Sequence, residues 1–508
     1  MKNKTKLKHL TVATVATLAG LQFTLPALAA DTNTPAADGS NNSNATQAAE
    51  IDALKQEVQQ LAQKLDALQA QQPAAAQPSP TEQALDQKVR VLERERENDK
   101  DDAAALAKTQ PKISLGQNGF SFSSADGNFV GTLHGLLQFD SRTFYHNSKL
   151  TPGVDGFLLR RARPIFTGTV FRDFDFNFTP DFGGSTTQIQ DAYLNYHYNQ
   201  AVQIQGGKFK SPVGLEQLQP DAYGSFNERS IATDLTPNRD LGVELHGDLF
   251  GGELSYAAGI FDGASDNNGT TFNSDTDNNE AFAGRLFAQP FKNTSILPLQ
   301  GLGFGVGGSY EYASHGSANG LNSSYVTDGQ QKFFTYAGTV VADGTRWRVS
   351  PQGYYYYGPF GLLGEYVIDN QRLAGGSVTG ANKSVDLQNS AWDISAGWVL
   401  TGEDAGYNGV TPLHPFNLHG GSWGAWQVVA RYANLDVDDT VFTDGFASSA
   451  TSASEARAWS LGLNWYLNRN IRVNASFSHT SFTGGHGAAA TVTSHPENVI
   501  FTRIQLAF

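Results

Sequence analysis

The sequence predicts an all-β fold: a transmembrane antiparallel β-barrel of about 16 strands, preceded by an N-terminal helical coiled-coil segment. Three observations predict it. Apolar and polar residues alternate in period two through most of the chain, long polar loops separate the resulting hairpins, and the chain ends on an aromatic residue, Phe508. Composition agrees, because 53 Gly, 32 Phe and 18 Tyr among 508 residues, with only 17% charged, suit strands and turns better than helices. Cys is absent and Met occurs once, which excludes disulfide frameworks, cysteine–zinc sites and thiol nucleophiles. The mean hydropathy is −0.35, and past the N-terminus there is no apolar run of the ~18 residues that a spanning helix needs. A helical membrane protein is excluded. The net charge of −14 argues against a nucleic-acid partner, which would ask for a basic face.

Residues 1–29 read as a signal peptide. Lys2, Lys4, Lys6 and Lys8 supply the positive start, Leu10 to Leu25 the apolar stretch, and Ala27-Leu28-Ala29 the small-residue cleavage pattern. A short membrane anchor is the alternative. A mature chain beginning at Ala30 would carry 31 basic and 49 acidic residues, a net −18. Residues 30–45 form a flexible polar leader. In residues 46–70, Ile51, Leu54, Val58, Leu61, Leu65 and Leu68 follow 3-4 spacing, the seam of a coiled coil. A lone amphipathic helix would show the same spacing, but no neighbouring apolar segment could receive it. Residues 71–80 are a Pro/Ala/Gln linker. Ser79-Pro80-Thr81-Glu82 then restarts a helix, with Ser79 as cap, Pro80 in the first helical position and Glu82 closing a capping box. This second helical segment, 81–110, continues the seam through Leu85, Val89 and Leu92.

From residue 113 to 508 the period is two. Phe174, Phe176 and Phe178 alternate with Asp173, Asp175 and Asn177; Trp426, Val428, Ala430 and Tyr432 alternate with Gln427 and Arg431. Leu461, Leu463, Trp465 and Leu467 lead through Asn468-Arg469-Asn470 into Ile471, Val473, Ala475 and Phe477, a hairpin. A soluble sandwich also alternates. Aromatic residues at strand ends and long loops such as 262–280, 314–331 and 374–390 favour a barrel in the bacterial outer membrane, in contact with its lipids. The last strand places Ile500, Thr502, Ile504, Leu506 and Phe508 on one face. It resembles the signal read by the barrel assembly machinery.

Catalytic and cofactor patterns fail on inspection. Gly303-Phe304-Gly305-Val306-Gly307-Gly308 satisfies a dinucleotide-binding pattern only as text, since a strand follows it and no helix N-terminus is available for phosphate. These glycines fit close backbone approach. Asp275, Asp277 and Asn279 begin like a calcium loop, but Glu280 stands where the turn needs glycine. There is no His-Glu-x-x-His pair. No enzyme activity, metal or cofactor is expected.

The cations are more informative. Arg160, Arg161 and Arg163 stand at a strand entrance; Lys208 and Lys210 precede an irregular segment containing Arg229 and Arg239; Arg346 and Arg348 sit in an aromatic-rich stretch. Arginine on a lumen wall holds anions through paired N–H groups and makes the pore positive. Arg431, Arg472 and Arg503 lie on polar strand faces and can instead pair with carboxylates across the lumen.

Leu159-Arg160-Arg161-Ala162-Arg163, Asp191-Ala192-Tyr193-Leu194, Gly207-Lys208-Phe209-Lys210-Ser211-Pro212, Asn227-Glu228-Arg229-Ser230, Arg239-Asp240-Leu241-Gly242-Val243 and Gly462-Leu463-Asn464-Trp465-Tyr466 occur in the order found in the phosphate-selective porin O and P family, which the chain resembles across nearly the whole barrel region. The resemblance implies a homotrimer of sixteen-stranded barrels, each narrowed by an infolded loop that matches residues 214–239. It further implies that wall and loop arginines hold a small inorganic anion such as phosphate or polyphosphate, with Asp191 as a pore acid. Three features depart from the family. Leu136 follows His134-Gly135 where a constriction arginine is expected, Leu218 to Tyr223 contains no lysine, and the arginine-rich outer loop is reduced to Arg346 and Arg348. From Lys112 onward 35 acidic residues face 23 basic ones. The expected function is a passive channel for small solutes. The alternatives are a non-specific porin of the same family, or a structural protein whose periplasmic coiled coil spans toward the cell wall. A barrel hydrolase would need a Ser/His pair facing lipid, which the strands do not supply.

Overall fold

The computed structural model describes residues 80–508 other than 118, 146–149, 185, 264–277, 317–320, 376–383 and 485–494, plus isolated positions between 56 and 64. Apart from those isolated positions, the expected signal peptide, leader, 46–70 coiled coil and linker up to Ser79 lie outside the described residues, as do Asp275 and Asp277. The chain divides into two units, Met1–Asp99 and Lys100–Phe508. Helix α1 (Pro80–Thr109) opens with proline, whose fixed φ and missing N–H suit a first helical position. Its seam residues Leu85, Val89 and Leu92 are exposed.

A hairpin of β1 (Lys112–Gly116) and β2 (Gly119–Ser123) leads into the barrel. The wall starts at β3 (Val130–Tyr145) and continues through β4 (Gly156–Val170), β5 (Phe174–Asp181), β6 (Gln188–Asn199), β7 (Val202–Lys210), β8 (Arg239–Leu249), β9 (Leu254–Phe261), β10 (Ala281–Ala288) and β11 (Leu302–Ala313). Strands β12 (Ser324–Val326) and β13 (Lys332–Thr335) form a separate two-stranded sheet. The wall resumes with β14 (Val341–Tyr357), β15 (Phe360–Ala374), β16 (Ser384–Val399), β17 (Ala425–Asp436), β18 (Ala453–Tyr466), β19 (Ile471–Gly484) and β20 (Glu497–Ala507). Each wall strand pairs antiparallel with its neighbour, and β20 returns to β3 with Arg503 opposite Asp140 and Ile504 opposite Phe139. The barrel is therefore closed with sixteen strands, and β2 extends it by pairing with the start of β3. Closure leaves no unpaired edge, which is the condition for crossing lipid.

The two faces divide as the alternation predicts. Leu137, Phe139, Val428, Leu461 and Ile504 point outward and are exposed, whereas Gln138, Asp140, Gln427, Asn474, Arg503 and Gln505 point inward and are buried. Trp426 and Trp465 stack outside with ring centres 5.1 Å apart, as expected of an interfacial aromatic belt.

The lumen is heavily filled. Residues 211–238, between β7 and β8, fold inward through a short helix, Leu215–Leu218, and a 3-10 turn, Ile231–Leu235. Gly307 makes this approach possible: a Cβ there would lie 2.3 Å from the Val213 carbonyl oxygen, so the glycine run in β11 serves close packing. The expected polar loop 314–331 is only partly solvated. Tyr325, Phe333, Phe334 and Tyr336 turn into the barrel and join Ile231, Leu235, Val441 and Phe446 in one buried apolar cluster. Lumen-facing Val367, Leu387, Ala433 and Leu435 on β15–β17 complete it. Aromatic side chains of the 324–336 stretch are thus excluded from water by the barrel itself.

The opposite rim is also less simple than short turns. Residues 400–424, between β16 and β17, tuck back so that the Tyr407 hydroxyl donates to the Leu215 carbonyl at 2.7 Å, while Gln219 Nε2 donates to the Tyr407 carbonyl at 2.7 Å. The infolded segment is held from both ends of the barrel.

Candidate functional site

Because the apolar cluster occupies the β14–β18 side, the wet part of the lumen lies against β3–β9. Here β4 carries a bulge. Arg161 pairs with Gln138 and Leu159 with Phe139, so Arg160 is an extra residue in the ladder. Regular alternation would send Arg160 to the opposite face from Arg161. The bulge lets both face inward, while Leu159 stays exposed on the lipid side.

Three acids of the infolded segment and the wall receive these arginines. Arg160 grips Glu228 through Nε at 2.7 Å and Nη2 at 3.0 Å, and Arg142 donates to the same carboxylate at 2.8 Å. Arg161 donates to Gln138 at 2.7 Å and lies 3.3 Å from Asp221. Arg163 donates to Asp181 at 2.6 Å and also bonds Asp221. Arg229 reaches Asp221 at 2.6 Å and the Gln219 carbonyl at 2.8 Å. Burial opposes ionisation of Asp221, but Arg161, Arg229, Arg163 and Lys210 hold its carboxyl well below the usual carboxylate range. Glu228, equally buried, is held low by Arg160, Arg161 and Arg142.

Two cavities meet at this cluster. One, of about 250 Å³, lies toward the long loops and includes Arg160, Arg161, Arg163, Arg229 and Arg239 in its lining, with Asp221, Glu228 and Asp234. The second, of about 980 Å³, opens toward the turns and the C-terminal Phe508. Their linings share Arg163, Asp221 and Arg239, which stand at the boundary, or neck, between the two. Counting ionised groups, the smaller cavity carries five positive against three negative charges, a local excess of two in a chain that is acidic overall.

The predicted cations separate into two groups. Arg160, Arg161, Arg163, Arg229 and Arg239 come together. Arg239 is held by Asp191 in a two-pronged pair at 2.9 and 3.1 Å, so the expected pore acid orients a neck residue. Lys210 borders the larger cavity and donates to the Gln219 carbonyl at 2.9 Å. Lys208 is buried on β7, with Arg239, Asp191 and Asp240 as its electrostatic neighbours. Arg346 and Arg348 are not in a loop. They lie on β14, where regular alternation turns both inward, and Arg346 binds Asp369 at 2.8 and 2.7 Å, with Glu311 near both arginines. Neither lines the two cavities. Leu136 is buried opposite Arg163 and borders the larger cavity. Arg503 pairs with Asp140, and Arg431 with Glu216 and Asp328, whereas Arg472 donates to the Gly224 carbonyl and Gln505. Sequence reading missed the anchoring roles of Asp221, Glu228 and Asp181. Four acids against the single Arg229 in residues 211–238 were the available signal for Asp221 and Glu228.

The family model described as phosphate-selective porin O and P matches residues 132–508. Porin O of Pseudomonas aeruginosa is 24% identical over 400 residues, covering 71% of this chain and 85% of that protein. Among solved structures, the outer membrane channel DcaP of Acinetobacter baumannii is 12% identical with a TM-score of 0.47, covering 76% of this chain and 99% of that one. The anion-selective porin from Comamonas acidovorans is 12% identical with a TM-score of 0.42, covering 75% and 100%.

Proposed function

The chain belongs to the phosphate-selective porin O and P family, an outer-membrane channel family, and on that premise we propose that its neck passes small inorganic anions, phosphate or polyphosphate among them. The observation that carries this reading is the pair of cavities whose linings share Arg163, Asp221 and Arg239. An anion entering the smaller cavity meets guanidinium groups fixed in place by carboxylates, so little side-chain ordering is needed at the moment of binding. Their planar N–H edges fit phosphate oxygens. Passage requires only that the anion compete briefly with Asp221 for Arg163 and Arg229, and weak binding shared among several sites is what conduction needs.

A second reading, a non-specific porin, is favoured by the pairing of the neck arginines with acids, which reduces the field that reaches a solute. Conductance in planar bilayers separates the two. Block of chloride current by millimolar phosphate, lost in Arg163→Ala and Arg239→Ala, supports anion binding at the neck. A large unblocked current with cation preference overturns it. The exposed seam of α1 supports a further part of the reading, in which the periplasmic helices of three chains associate in a homotrimer. Cross-linking in native membranes tests that assembly.

A further inference from the structure

Glu216, Glu365 and Asp393 stand apart from the neck and form a second charged centre. Glu216 belongs to the infolded helix, Glu365 to β15 and Asp393 to β16, and one carboxylate oxygen from each lies within 4.8 Å of the others. Glu365 and Asp393 are directly opposed in the β15–β16 ladder. All three side chains are largely removed from water: Glu365 is 4% exposed, Asp393 3% and Glu216 9%. Their partners do not balance them. Glu365 accepts the Leu215 N–H at 2.8 Å and the Glu216 N–H at 3.0 Å. Glu216 accepts Arg431 at 3.1 Å and the Ser230 N–H at 2.9 Å. Arg431 is shared with Asp328 at 2.9 Å. Among the described residues neither oxygen of Asp393 meets a donor in hydrogen-bond geometry; the buried Ser230 hydroxyl adjoins it as a weak neighbour and has no other partner.

Three buried carboxylates, with Arg431 as the one guanidinium in contact among the described residues and that shared with Asp328, leave negative charge that a low-dielectric site does not tolerate unpaired. We propose that this cluster binds one calcium ion, which ties the infolded segment to the wall. Calcium takes hard oxygen ligands at about 2.4 Å, so oxygens on opposite sides of one ion stand about 4.8 Å apart. The spread of the three carboxylates fits within that diameter. The unpartnered Asp393 oxygens supply the strongest vacant donors, Ser230 adds a hydroxyl, and water completes the shell. The two backbone N–H bonds on Glu365 hold its carboxylate in place while leaving lone pairs for the ion. This role differs from the neck's: the ion would be structural and would sit off the solute path, behind the segment it holds.

The full-length protein, refolded in detergent and stripped of metal, is titrated with CaCl2 and bound calcium is counted by equilibrium dialysis. Wild type is expected to bind one ion per chain that Asp393→Asn and Glu365→Gln lose, whereas Asp404→Asn, in the 400–424 connection, keeps it. Calcium is also expected to raise the thermal unfolding temperature of wild type and not that of Asp393→Asn. Wild type that binds no calcium at millimolar concentration overturns the proposal, and this outcome does not depend on any variant folding. Equal binding by wild type and Asp393→Asn overturns it too, and the carboxyls would then be held uncharged by protons.

Discussion

Arg160 holds Glu228 through both Nε and Nη2, at 2.7 and 3.0 Å, across 68 positions of sequence. This pair ties a bulge in the wall to the infolded segment, and both sides contribute. Without the bulge Arg160 would face lipid, and without Glu228 it would lose its paired acid, leaving Asp140 to serve Arg142 and Arg503.

Glu228→Gln therefore has two expected effects. Removing one member of a buried ionic group costs about 3 kcal/mol, read as a shift in the urea unfolding midpoint. The same change raises the positive excess of the smaller cavity by one charge, so reversal potentials in a salt gradient should move toward greater anion preference.

Asp221→Asn and Arg163→Ala should move selectivity in opposite directions. The first removes the acid that binds Arg163 and Arg229, and anion preference rises. The second removes a neck cation and bulk together, so single-channel conductance rises while anion preference falls. Paired conductance and reversal-potential measurements check both.

Deleting Arg160 should leave the barrel able to assemble, because Arg161 opposite Gln138 and Leu159 opposite Phe139 would then be consecutive in a regular ladder. Deleting Ala162 should not, since the lumen and lipid faces of the adjoining residues would exchange. Heat-modifiable migration on gels reports folding of each. The contrast also shows what could be read from sequence. Period two located the strands because lipid and lumen enforce it residue by residue. Adjacent arginines in such a strand contradict that period, as an arginine facing mid-bilayer lipid costs about 2–4 kcal/mol; that contradiction was the available sign of a bulge. Arg346 and Arg348 show the reverse, for their i, i+2 spacing was a strand signal within a stretch taken for a loop. The pairing of Arg163 with Asp181 and Asp221 depends on how residues 211–238 enter the barrel, and local spacing holds no record of that path. The apolar cluster was hidden for a similar reason: Tyr325, Phe333 and Phe334 sit among polar neighbours, and only the closed wall shows where they are buried.

Acid should loosen the infolded segment in a defined direction. Asp221 and Glu228 have folded-state pKa values below their unfolded ones, so their contribution is complete above about pH 4.5 and is lost as pH falls through the depressed values. Conductance and protease resistance should stay level from pH 7 to pH 5 as far as these two groups are concerned. Below about pH 4 both should begin to change.

Gly307→Val should displace the infolded segment without touching any charge. The added side chain would meet the Val213 carbonyl, and overpacking of this kind costs about 1–3 kcal/mol. Larger, noisier single-channel currents are the expected reading, with barrel content by circular dichroism unchanged.

The neck between two wider cavities also decides where a membrane voltage acts. Resistances in series divide a potential in proportion to their size, so a short narrow passage between broad vestibules takes most of the drop. On the proposed path Arg163, Asp221 and Arg239 would sit where the gradient is steepest, and an anion lodged among them would be pulled onward by one polarity and pushed back by the other. The same three side chains, in the role proposed for them, would make the channel a rectifier whenever a bound anion is slow to leave.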